Sequence, residues 1–325
     1  MKHCTLYILV AIIVAIYLLP STLLHAQQRP QYSQYMNNQF MLNPALAGSS
    51  EVLDARGGAR LQWSGFKDAP RSIHATIHKP LGLLAPNMRG KTRGESNFFH
   101  GIGALVMSDV TGPTSRTSVY GAYAYNQKLT KTLRASLGFF GGIQHFGLDD
   151  SKTIYSNNSI ASRGNISKFF PDAAVGLWVY NKRFWAGGSI NQIFKNQFST
   201  RDLNSGVYVA GRHLFASTGM QFWMTKDWAI IPSVMVKWVN PAPATIDLNV
   251  KFRYQNTFFC GTSFRSTDAI VFMLGLTHKK YLDFGYSYDA VYNGIARYQG
   301  GSHELFLGYR MQAKRRNYNP SDFWK

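Results

Sequence analysis

Only two cysteines occur in the 325 residues, Cys4 and Cys260, too few for a disulfide framework or a cysteine-based metal site. Long apolar runs are nearly as scarce. One spans Leu6 to Leu19, and every later run is short and interrupted. A mean hydropathy of −0.17 with 45% hydrophobic residues excludes a bundle of membrane-spanning helices. Acid is scarce as well, 16 Asp and Glu against 35 Lys and Arg. The basic residues are scattered singly, with one dense cluster at Lys314-Arg315-Arg316. Nucleic acid is therefore not an expected partner, and anionic lipid headgroups or an acidic protein are favoured. Catalytic signatures are missing too. There is no Gly-x-Ser-x-Gly and no His-Glu-x-x-His, and Gly101-Ile102-Gly103 lacks the third glycine of a dinucleotide loop.

What is present begins with an export signal. Lys2 and His3 precede the apolar run, and Leu24-His25-Ala26 supplies a small residue before Gln27, so residues 1–26 read as a cleaved signal peptide. The run is shorter than the roughly 20 residues that a spanning helix needs. Cys4 precedes it and is not placed for lipid attachment.

Beyond the signal the dominant pattern is alternation. In Thr245 to Tyr254, Ile246, Leu248, Val250, Phe252 and Tyr254 fall on one face of a strand, and Asp247, Asn249, Lys251 and Arg253 on the other. The same period recurs at 73–78, 230–238 and 282–289, and less clearly at 184–194 and 215–224. Fourteen candidate strands follow, near 51–63, 71–79, 100–109, 116–127, 133–148, 172–180, 184–194, 212–224, 229–239, 245–254, 257–265, 269–278, 282–290 and 302–311. Together they predict an all-β fold, a transmembrane antiparallel up-and-down barrel over residues 51–311, apolar outside and polar inside. Residues 27–50 read as a periplasmic lead-in and 312–325 as a periplasmic tail. Short links alternate with longer ones, which assigns the short set to the periplasm. The long link from Pro80 to Phe99 and the short one from Ser266 to Asp268 are exceptions.

Because charge facing lipid costs roughly 2–4 kcal/mol at midplane, Lys237, Lys251, Arg253 and Arg265 are expected in the lumen, neutralised by Asp247, Asp283, Asp289 and Glu304. Trp63, Trp178, Trp185, Trp223, Trp228 and Trp238 are expected in two interfacial girdles. His74 and His78 share one strand face, but no nucleophile accompanies them, so lining the lumen is the favoured reading over acid–base chemistry. His303 and Glu304 point to opposite faces and cannot readily hold one metal ion. No cofactor is expected.

Six stretches, in order, resemble one family. They are Pro30-Gln31-Tyr32-Ser33-Gln34-Tyr35-Met36 leading to Asn43-Pro44-Ala45-Leu46-Ala47-Gly48, then Pro232-Ser233-Val234-Met235-Val236-Lys237, Asp247-Leu248-Asn249, Gly261-Thr262-Ser263-Phe264-Arg265, Tyr286-Ser287-Tyr288-Asp289 and Gly301-Ser302-His303-Glu304. The chain resembles the PorP/SprF family, outer-membrane components of the type IX secretion system of Bacteroidota. The resemblance implies a non-enzymatic barrel that supports secretion or surface attachment of large proteins bearing a type IX C-terminal signal, gliding adhesins among them. Implied partners are outer-membrane lipid, other secretion components, the cargo and, in some systems, a periplasmic peptidoglycan-binding lipoprotein. The tail, with Asn319-Pro320-Ser321-Asp322-Phe323-Trp324, departs from the family's ending. Without the resemblance, a diffusion channel for small solutes is the competing reading.

Overall fold

The computed structural model describes residues 31–50, 52–81, 97–149, 151, 165–194, 197–199, 207–209, 211–239, 242–279 and 281–311. The predicted signal peptide, the predicted tail and most of the Pro80–Phe99 link lie outside the described residues. Among the described residues no helix is long and apolar enough to cross a membrane.

Among the described residues seventeen strands follow in chain order. They are β1 (Asp54–Leu61), β2 (Arg71–Pro80), β3 (Phe98–Thr111), β4 (Thr114–Lys128), β5 (Arg134–Leu148), β6 (Ile166–Tyr180), β7 (Phe184–Asn191), β8 (Gln197–Ser199), β9 (Val207–Val209), β10 (His213–Met220), β11 (Phe222–Trp223), β12 (Trp228–Val239), β13 (Thr245–Tyr254), β14 (Phe258–Arg265), β15 (Ala269–His278), β16 (Leu282–Val291) and β17 (Ser302–Arg310). Neighbours pair antiparallel in chain order. β1 pairs with β17 and β10 with β12, which closes the sheet. β10 and β11 are two parts of one stave, and β8 and β9 form a separate hairpin. The wall is thus a closed barrel of fourteen staves, and each of the fourteen predicted strands has its counterpart. Closure matters physically, because a sheet in hydrocarbon has no water to satisfy a free edge.

Facing follows the two-residue period. On β13, Leu248 and Tyr254 are exposed while Asp247, Asn249, Lys251 and Arg253 are buried. On β15, Ile270, Phe272, Leu274 and Leu276 point out, and Ala269, Val271 and Met273 point in. The outer wall also carries Ile73, Ile143, Leu177, Leu305 and Leu307, all highly exposed. Soluble monomers rarely expose so many large apolar side chains together, and the outward set matches a lipid-facing band.

The two rims differ. One holds the ends of the wall, where Asp54 is registered with Arg310, together with the tight connections β4–β5, β6–β7, β11–β12, β13–β14 and β15–β16. The opposite rim carries the longer links β1–β2, β5–β6, β7–β10 and β16–β17 together with the short β3–β4 and β14–β15 links, and the long β2–β3 link is the exception at the first rim. They are called the short-turn rim and the loop rim below.

Residues 31–50 correct the expectation of a periplasmic lead-in. They form three short 3₁₀ turns, Tyr35–Asn37, Gln39–Met41 and Pro44–Leu46, and lie inside the barrel. From Tyr32 to Ser50 every residue except Met36 is buried. Their polar Gln, Asn and Tyr side chains meet a polar lumen, and Phe40, Met41, Leu42 and Leu46 supply a small apolar core with Leu105, Phe140 and Trp178.

Candidate functional site: the occupied lumen

At the loop-rim end of the lumen, Ser33 sits among four ionised side chains. Its hydroxyl donates to Asp289 Oδ2 (2.7 Å) and accepts from Arg60 Nη1 (2.8 Å) and Arg265 Nη2 (3.2 Å). The backbone N–H groups of Ser33 and Gln34 donate to the two carboxylate oxygens of Glu304 (2.7 and 3.1 Å). Arg60 bridges Asp289 (2.7 Å) and Glu304 (3.4 Å). Arg265 lies 3.1 Å from Asp268, 3.5 Å from Asp289 and 3.8 Å from Asp247, and Lys237 pairs with Asp247 at 2.5 Å. Buried charges persist only when paired and hydrogen-bonded, and here the lumen segment supplies part of that pairing.

Midway down, Asn249 Nδ2 donates to the Tyr35 hydroxyl (2.8 Å), and Lys251 donates to Asn37 Oδ1 (2.7 Å) while its ammonium lies 4.1 Å from the centre of the Phe259 ring. The Tyr32 ring stands edge-on to His74, and Phe40 packs on His78. The Gly48 N–H donates to His78 Nδ1 (3.2 Å), so that nitrogen carries a lone pair. The two histidines therefore serve as packing and acceptor groups for the segment. Among the described residues no three His, Cys, Asp or Glu side chains converge as a metal site.

Near the short-turn rim Asn43 has a double role. Its Oδ1 caps the turn by accepting from Ala45 N–H (2.9 Å), with Pro44 at the first turn position. Its Nδ2 donates to the carbonyls of Leu177 and Gly188 (3.0 and 3.1 Å), which fastens the turn across β6 and β7. Ser136 and Ser189 donate to the carbonyls of Ala45 and Leu42 (2.6 and 2.7 Å). The wall leaves room at this level: a Cβ on Gly101 would strike Ala47, and one on Gly138 would strike Pro44 and Ala45.

All eight predicted lumen charges face inward, and Lys237 alone among them is not fully buried. Arg310 pairs with Asp283 (2.6 Å), and Arg253 lies over the Trp223 ring at 5.8 Å. Sequence reasoning missed Arg60, Arg310 and the Arg56–Asp54 pair (2.6 Å). Asp54, Arg56 and Arg60 share one face of β1, and that two-residue spacing was the available signal.

The tryptophan girdle needs correction. Trp228 and Trp238 are exposed on the outer wall, and Trp63 stands beyond β1 at the loop rim. Trp178 and Trp185 instead point into the lumen and are buried in its apolar core. Each indole lies against a glycine of the next strand, Trp178 on Gly187 and Trp185 on Gly219. Trp223 is registered with the inward Ala229 and so faces the lumen mouth.

The family model for the type IX secretion system membrane protein PorP/SprF matches residues 24–309. The chain belongs to the PorP/SprF family. As a member it is an outer-membrane β-barrel of the type IX secretion system, and other components of that system are its partners. No curated protein matches. Among solved structures the chain is similar to the toluene transporter TodX of Pseudomonas putida, with 7% identity over 87% of this chain and 94% of that one and a TM-score of 0.49. It is also similar to the Ralstonia pickettii toluene transporter TbuX (10% identity, 85% and 92%, TM-score 0.48). A Pseudomonas aeruginosa FadL homologue resembles it to the same degree (11% identity, 86% and 94%, TM-score 0.48).

Proposed function

We propose that this PorP/SprF barrel is a non-enzymatic support for protein export, holding large proteins with a type IX C-terminal signal, such as gliding adhesins, during secretion or at the surface. Membership of the family carries this reading. The filled lumen supports it, because a wall whose interior groups are bonded to residues 31–50 suits an anchor better than a solute pore. Exported protein would meet the loop rim, while the short-turn rim would meet periplasmic partners, including a peptidoglycan-binding lipoprotein.

The test is deletion of the gene followed by comparison of culture fluid and cell-surface proteins. Loss or misplacement of a subset of type IX cargo is the expected outcome, and unchanged export of every such protein would overturn the proposal. Co-purification from native membranes should recover secretion components and cargo. In planar bilayers the intact protein should show no wide, steady openings; their appearance would favour the solute channel.

A further inference from the structure

The lumen segment has a direction. Its amino end, Ser33 and Gln34, is bonded to Asp289, Glu304, Arg60 and Arg265. Each of these lies within two residues of the loop-rim end of its strand. Its carboxyl end, Ala45 to Gly48, meets Ser136, Gly138, Asn126 and Gly101, all within four residues of the short-turn rim. Between them Asn37 and Asn38 meet Lys251 and Thr76 at intermediate depth. The segment therefore runs the length of the lumen once, and the chain then enters β1 at the short-turn rim. Exposure returns at Gln31, which is half-buried where the residues after it are buried.

Short turns of single-chain outer-membrane barrels face the periplasm, and longer loops face outside. We propose that the chain is threaded through its own barrel from the exterior side inward, so that Gln31 opens at the outer mouth among the loops and the wall begins in the periplasm. A plug dangling from the periplasm would place Ser33 at the opposite rim. This inference rests on the orientation of the barrel and on the path of residues 31–48, and is independent of which protein the barrel serves.

Cysteine accessibility tests it, in full-length protein carrying Cys260→Ser to remove the outer-wall thiol. Gln31→Cys is compared with Gly294→Cys, in a loop-rim link with open space around it, and with Lys131→Cys, exposed in the β4–β5 turn. Intact cells are treated with a membrane-impermeant maleimide before and after permeabilisation of the outer membrane. Modification of Gln31→Cys in intact cells to the extent seen for Gly294→Cys, with Lys131→Cys modified only after permeabilisation, is the expected result. Modification of Gln31→Cys only after permeabilisation, or only after unfolding, would overturn the proposal. A short epitope inserted directly ahead of Gln31 provides a second measurement: antibody binding on intact cells supports the threading, and binding confined to permeabilised cells refutes it.

Discussion

Arg265 is the residue on which most of the loop-rim network converges, with Asp247, Asp268, Asp289 and the Ser33 hydroxyl around it. Replacing it by Met keeps the volume and removes the charge, leaving those carboxylates buried without their shared cation. Breaking a buried pair from one side costs about 3–5 kcal/mol, so Arg265→Met should lower the unfolding free energy by that order. Lys67→Met, in an exposed link, should stay within about 0.5 kcal/mol of the parent. Equilibrium denaturation in lipid vesicles distinguishes the two, and equal losses would discount the network. The inward facing of Arg265 was legible in the sequence, because period two and the cost of charge in lipid leave it no other place. Its partner Ser33 was not legible. Nothing in a Gln- and Asn-rich stretch says whether water or a polar lumen surrounds it.

At the scale of elements, each stave of the wall was readable, while its filling and the small β8–β9 hairpin were not. Alternation shows which side of a strand is oily but is silent about what occupies the other side. The lumen-facing glycines were the missed clue. Gly138 and Gly101 sit where larger side chains would close the space that the Pro44–Ala47 backbone occupies. Trp178 shows the same limit. It lies beside a turn, as a girdle residue would, yet Leu177 and Val175 hold the outward positions and Trp178 shares the inward face with Gly176 and Ala174. Two outcomes follow. Gly138→Val should displace the Pro44–Leu46 turn at a cost of about 1–3 kcal/mol for overpacking, read as faster amide exchange at Ala45 to Ser49 while the wall amides stay protected. Deleting residues 31–48 should convert a silent barrel into one with stable conductance in planar bilayers. A deletion variant that inserts yet stays silent would show that something other than this segment fills the lumen.

For the whole molecule, the separation of faces is what makes one sequence suit a membrane. Backbone groups are satisfied by closure through β1–β17 and β10–β12, and away from the strand ends the ionised side chains described on the wall are turned inward, Arg71 and Lys79 standing outward only at the two ends of β2. The outer wall then pays nothing for contact with hydrocarbon, and its energetics should depend on depth alone. Leu274 lies near the middle of β15 and Ile270 near its loop-rim end, both on the outer face. Leu274→Arg should therefore destabilise the barrel by about 2–4 kcal/mol and Ile270→Arg by about 0–1 kcal/mol. Measured in the same vesicles, the difference between the two substitutions reports bilayer depth and cancels the shared change in side chain. In a detergent that thins the apolar zone the gap should shrink. Equal penalties in vesicles would mean that β15 does not present this face to lipid, and the outer wall would then have to be reassigned strand by strand.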